Sequence, residues 1–105
     1  MGCRKSITMN KTRREIDCLN RLQSLNTSHD EILEFLFQEG LASREEIKGI
    51  RSSPDVGKML QKHMMHLSNG NKIQLLEYEW SILPVERIKI MVVTDRNSRE
   101  FSYNF

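Results

Sequence analysis

Residues 28–70 read SHDEILEFLFQEGLASREEIKGIRSSPDVGKMLQKHMMHLSNG and contain a repeated helix start signal. Ser28 is followed three residues later by Glu31, and Ser43 is followed at the same spacing by Glu46. A serine hydroxyl and a glutamate at this spacing satisfy the free N–H groups of a helix start reciprocally. Apolar residues at the spacing of one helical face follow both signals, so each predicts an amphipathic helix.

A third helix is predicted to start within residues 53–55, which read SPD. Proline occupies the first helical position there, and an acidic side chain follows it. Proline loses no hydrogen bond there, and a carboxylate is favourable at the positive end of the helix dipole. This helix is expected to run to about Leu67, with Asn69 and Gly70 as its stop, and Gly40 is expected to end the first helix.

An amphipathic helix is also predicted over residues 10–26, with its apolar side chains on one side. The favoured interpretation is a helix packed across the core with a solvated basic face. A basic arm, or a homodimer formed through residues 10–25, is the alternative. The chain has no linker-like segment, which predicts one domain over residues 10–105 after a flexible segment of residues 1–9.

After Gly70 the pattern changes from helical to alternating, which is typical of strands. Strands are predicted over residues 72–80 and 85–93, and a third covers residues 101–105. Turn-forming residues at 94–98 predict an antiparallel hairpin between the last two strands. The fold class predicted is therefore α+β, with about four helices followed by a small antiparallel three-stranded sheet.

Three helices followed by a small sheet resemble the winged helix-turn-helix family, and the resemblance covers residues 28–93. It implies a DNA-binding transcriptional regulator whose third helix enters the major groove, while the loop of residues 81–86 acts as a wing. Glu86 in that loop departs from the basic character expected of a wing. The residues expected to contact DNA are Arg44, Lys48, Arg51, Lys58, Gln61, Lys62, His66 and Arg87.

The alternative function is a protein–protein interaction module, either an adaptor or an inhibitor. Aromatic side chains anchor interfaces, and an open edge strand can accept a further strand. The residues expected to carry this function are Tyr78, Trp80, Phe101, Tyr103 and Phe105. The first residues also resemble an N-terminal acylation signal with Gly2 and Cys3 as the lipid-bearing positions, so a membrane is a partner only if they are acylated.

Other function classes are disfavoured by the sequence. No phosphate loop or nucleophile elbow is present, and no carboxylate pair has a spacing that places both groups in one identifiable site, which predicts a protein that is not an enzyme and needs no cofactor. His63 and His66 lie one turn apart, but no cysteine spacing completes a zinc site, so no metal is expected. Two cysteines in a chain without a secretory signal indicate a cytoplasmic protein. A net charge of +2 is only mildly basic and leaves DNA and protein partners both open.

Overall fold

The computed structural model describes the backbone of residues 2–25, 27–82 and 85–104, and the side chains of residues 13–25, 27–77 and 87–103. Helices precede strands along the chain, which confirms the predicted α+β class. The elements are α1 (Gly2–Ser24), α2 (Asp30–Gln38), α3 (Arg44–Arg51), α4 (Val56–Asn69), β1 (Gln74–Ile82), β2 (Val85–Val93) and β3 (Ser98–Asn104).

Helix α1 is longer than the apolar pattern indicates, because it begins at Gly2 and not near Asn10. Its buried side is formed by Cys18, Leu19 and Leu22. Ile16, which was expected on the same apolar side, is exposed. The flexibility expected of residues 1–9 and the single-domain organisation stay predictions.

The start of α3 agrees with the sequence. Ser43 Oγ accepts a hydrogen bond from the Glu46 backbone N–H at 3.1 Å, and the Glu46 carboxylate accepts from the Ser43 N–H at 2.9 Å. These hydrogen bonds hold the pKa of Glu46 below 4.5. The capping box predicted at this position is therefore confirmed.

The other two helices begin at different residues from those predicted. His29, and not Ser28, is the cap residue of α2, and its left-handed φ of 57° turns the chain into the helix. Ser28 Oγ donates to the Asp30 carboxylate at 3.0 Å, so this hydroxyl is not used as a cap. Helix α4 is capped by Asp55, which accepts from the Lys58 N–H at 3.0 Å. Pro54 consequently lies just before the helix and not at its first position.

Helices α2 and α4 end in the same way, with a left-handed residue after the last turn. At the end of α2 this residue is Gly40, with φ 72°, and at the end of α4 it is Asn71, with φ 58°. The next residues, Leu41 and Lys72, each donate their N–H back to the last turn, at 2.8 and 2.9 Å. This is the Schellman arrangement. Gly40 is thus confirmed as a stop, whereas Asn71 and not Gly70 supplies the left-handed turn after α4.

The three strands form one antiparallel sheet in the order β1-β2-β3. Strand β2 covers the range predicted from the sequence, and β1 begins two residues later than expected. Leu75 lies opposite Val92, and Ile90 lies opposite Phe101. These four side chains are buried under the helices.

Helices α1 and α2 contact the sheet at β1 and β3, and α3 and α4 pack against these two helices. The core lies between the helices and the buried face of the sheet. The opposite face carries Leu76, Lys89 and Glu100 among its described side chains, and the latter two form an ion pair at 3.8 Å. A sheet with one packed face and one open face explains the alternation along β2. The core consists of Cys18, Leu19, Leu22, Ile32, Leu33, Phe35, Leu36, Ala42, Ile47, Ile50, Leu60, Met64, Leu67, Ile73, Leu75, Ile88, Ile90, Val92 and Phe101.

Helix α4 lies close against α1 at Gly57. A Cβ atom at this position would lie 2.8 Å from the Gln23 carbonyl oxygen and 3.2 Å from the Gln23 Cα. Both atoms belong to the backbone, so they cannot move aside as a flexible side chain could. The absence of a side chain at Gly57 therefore permits the contact between the two helices.

We expect Gly57→Ala to lower the free energy of unfolding by about 1–3 kcal/mol, because overpacking displaces one helix. The matched control is Gly49→Ala on α3, where no atom lies within 4 Å of the added carbon. That substitution should raise stability by about 0.5–1 kcal/mol, since alanine is the better helix former. Urea denaturation of both variants measures the difference, and equal effects would contradict this account of the α1–α4 contact.

Candidate nucleic-acid interface

Helix α4 is held on one side by α1. Gln61 Nε2 donates to Asn20 Oδ1 at 2.6 Å, and Ser68 Oγ donates to the buried carboxylate of Glu15. Gly57 lies on the same side of the helix. The amide of Gln61, which was expected to reach DNA bases, therefore has a structural hydrogen bond to α1.

On its other side α4 is held by α3 and by the loop before it. His63 Nε2 lies 2.9 Å from the Leu41 carbonyl oxygen, and Nδ1 lies 3.6 Å from the Glu46 carboxylate. A carbonyl oxygen can only accept, so Nε2 carries a proton. His63 is therefore half-buried and hydrogen-bonded, as is expected of a packing residue on an apolar helix face.

The outward surface of α4 carries two lysines and a histidine, and the exposed carboxylate of the cap residue Asp55 lies at the N-terminal end of the same face. Lys58, Lys62 and His66 are all exposed. At about 100° per residue, Lys58, Lys62 and Asn69 fall within an arc of about 40° that points away from the buried Leu60. The helix contains no aspartate or glutamate between Val56 and Asn69. We refer to Lys58, Lys62 and His66 as the α4 stripe.

The basic residues of α3 do not extend the α4 stripe. Arg44, Lys48 and Arg51 fall within an arc of about 60° on α3, on the side turned away from α4. The side that faces α4 instead carries Glu46 and Gly49, which line a cleft of about 350 Å³ between the two helices. The structure therefore divides the predicted DNA-binding residues of these two helices into two separate surfaces.

Arg87 lies on a third surface. In β2 it alternates with the buried Ile88, so it points to the open face of the sheet, whereas α4 packs against α1 and α3. The loop of residues 81–86 that was predicted as a wing is wrong in its bounds, because residues 81–82 belong to β1 and residues 85–86 belong to β2, where they pair with each other. The side chains of these residues lie outside the described part of the chain. Arg87 consequently does not join the α4 stripe.

Two of the aromatic residues assigned to a protein interface belong to the packed interior. Phe101 is 2% exposed and meets the Phe35 ring edge-on at 5.9 Å. Tyr103 is partly buried, and its burial raises the pKa of its hydroxyl. The side chains of Tyr78, Trp80 and Phe105 lie outside the described residues, as do those of the acylation candidates Gly2 and Cys3.

Two absences concern the described part of the chain. Within it, no three histidine, cysteine, aspartate or glutamate side chains are grouped so that they could hold a metal ion. None of its helices combines the length and the apolar character that a membrane span requires.

The Cys18 thiol is buried, and burial raises its pKa to about 12, which disfavours the nucleophilic thiolate.

Comparisons with protein-family models, with curated proteins and with solved structures found no match to the chain. The fold and the geometry of its surfaces are therefore the basis for any functional inference.

His29 is a buried residue whose position sequence reasoning missed. It is 2% exposed, and its ring lies against the Leu22 backbone without forming a hydrogen bond of ordinary geometry. Its ring meets Tyr103 edge-on at 5.8 Å, at the junction of α1, α2 and β3. Burial lowers the pKa of His29 below 6.5, because the charged ring would lose its hydration there. Histidine is among the residues that most readily adopt a positive φ, and this was the only local signal for its role as a cap.

We expect acid to destabilise the fold through His29. Below about pH 6.5 the unfolded chain takes up a proton at this ring while the folded chain resists it. The free energy of unfolding therefore falls as the pH is lowered. The His29→Phe variant keeps a buried ring but cannot be protonated. Urea denaturation at several pH values between about 7.5 and 5.5 should show a smaller loss of stability for the variant than for the wild type. Equal losses would mean that His29 does not contribute.

Proposed function

We propose that this protein binds DNA through the α4 stripe, as a small regulator of the winged helix-turn-helix type. One observation carries the proposal: the outward face of α4 presents Lys58, Lys62 and His66 without a single carboxylate in the helix. Lysines on successive turns of one helix face match the negative charge of a phosphate backbone. Helix α4 is also supported on both sides by α1 and α3, which would hold these side chains in a fixed position against a groove.

The geometry changes the set of residues that we assign to DNA. Lys58 and Lys62 would contact phosphates, and Lys62, near the middle of the helix, could also reach a base edge. Gln61 is assigned a supporting role because its amide bonds to Asn20. Arg44, Lys48, Arg51 and Arg87 lie on other surfaces and are not part of this contact.

A small number of cations predicts modest affinity from one copy. Neutralising two phosphates gives a slope of log K against log salt of about −2, compared with about −6 to −9 for a protein with many contacts. A second copy would increase both affinity and specificity. Because Leu19 and Leu22 on the apolar side of α1 are buried in the protein's own core, a dimer through residues 10–25 would use other side chains of this helix.

The experiment compares two variants with the same change in charge. Lys58→Glu combined with Lys62→Glu should weaken binding to a fluorescently labelled DNA duplex by about tenfold or more, because two attractive phosphate contacts become repulsive. Arg87→Glu combined with Arg96→Glu, at exposed positions in β2 and in the turn between β2 and β3, should have a much smaller effect. Fluorescence anisotropy at several salt concentrations measures both affinities and the slopes.

Two results would contradict the proposal. In one, the Lys58/Lys62 variant binds DNA as the wild type does. In the other, the Arg87/Arg96 variant loses as much affinity, which would mean that binding depends on total charge and not on α4. Circular dichroism of each variant serves as the check that the fold is retained.

A further inference from the structure

A second cleft lies between α2 and α3, on the side of α3 that faces away from α4. Its volume is about 270 Å³. Leu33 and Ile47 are buried at its base, and Phe37 stands at its margin with 43% of its surface exposed. Phe37 is one of the few large apolar side chains that the described part of the chain leaves exposed, so the cleft combines an apolar base with an apolar side.

Cations surround this apolar surface on the α3 side. The Arg44 guanidinium lies 5.8 Å from the centre of the Phe37 ring, within the range of a cation–π contact. Arg51 lines the same cleft and pairs with Asp30 at 3.4 Å, and the exposed Lys48 lies on the same side of α3. On the α2 side, the Glu34 carboxylate lies at the margin. The α3 side of the cleft is therefore basic, and the α2 side is mixed.

The size and chemistry of the cleft indicate what it can bind. Its volume lies just below the range of roughly 300–1,000 Å³ that is typical of small-molecule pockets, so it suits one inserted side chain better than a whole ligand. An apolar base with an exposed phenylalanine is a poor match for a phosphate backbone, which is charged along its whole length. Arginine guanidinium groups pair well with carboxylates, often through two parallel hydrogen bonds.

We propose that the α2–α3 cleft binds a segment of a partner protein that inserts an apolar side chain beside Phe37 and places acidic side chains against Arg44 and Arg51. Arg51 would exchange or share its pairing with Asp30 on binding. This surface is separate from the α4 stripe, so the protein could hold a protein partner and DNA at the same time. The proposal does not depend on DNA binding, because none of its residues belongs to the α4 stripe.

The test uses three synthetic peptides of equal length. The first has a central phenylalanine and leucine flanked by glutamates, the second has lysines in place of the glutamates, and the third has alanines in place of the two apolar residues. We expect the first peptide to shift the backbone NMR signals of Leu33, Phe37 and Ile47. The other two peptides should bind about tenfold more weakly or not at all, because each lacks one of the two matched features.

Two variants locate the binding site. Arg44→Glu should abolish preference for the glutamate peptide over the lysine peptide, and Phe37→Ser should weaken binding of the glutamate peptide without changing that preference. Both positions are exposed, so the fold should tolerate the changes. Lys62→Glu is the matched control on α4, and it should leave peptide binding unchanged.

Three results would overturn the proposal. In the first, the glutamate peptide causes no signal shift at millimolar concentration, or binds no better than the other two. In the second, the signals that shift lie elsewhere in the protein. In the third, Arg44→Glu lowers DNA affinity as much as the Lys58/Lys62 double substitution does, in which case the basic side of α3 belongs to a nucleic-acid surface. If the α4 substitutions leave DNA binding intact while the peptide results hold, only the DNA proposal fails.

Discussion

The close packing of α4 against α1 is the contact on which the rest of the structure depends. Because Gly57 has no side chain, the backbones of the two helices come into direct contact at this position. Further along the same side, Gln61 bonds to Asn20, and Ser68 bonds to the buried Glu15. Because these contacts fix the rotation of α4 about its axis, they also determine which of its side chains enter the core and which point outward.

The rotation of α4 has a direct functional consequence. With Leu60, Met64 and Leu67 in the core, Lys58 and Lys62 must lie on the outer surface. The rotation of α3 is set by the burial of Ile47 and Ile50. This rotation turns the basic residues of α3 away from α4. Two basic surfaces of different character result: one formed by the α4 stripe, and one between α2 and α3 that surrounds an apolar cleft. This difference in surroundings supports different partners for the two surfaces.

The interior also contains features that cost stability. His29 is buried at the junction of three elements without a hydrogen bond of ordinary geometry to its ring, and its backbone is left-handed. Groups of this kind usually persist because the surrounding structure holds them in place. Here α2 could not begin at its observed position without a residue that tolerates a positive φ, and the T-shaped contact with Tyr103 gives the ring a packing partner.

The sequence by itself determined the order of the elements, the capping box at Ser43, the stop at Gly40 and the full range of β2. These features depend on neighbours three to five residues apart or on strict alternation, so local chemistry is sufficient. Which cations share a surface was decided only by the tertiary structure. Gln61 and Asn20 are 41 residues apart in the chain. The rotation of each helix depends on such distant contacts, and no local pattern in α3 indicates which of its neighbours its basic side will face.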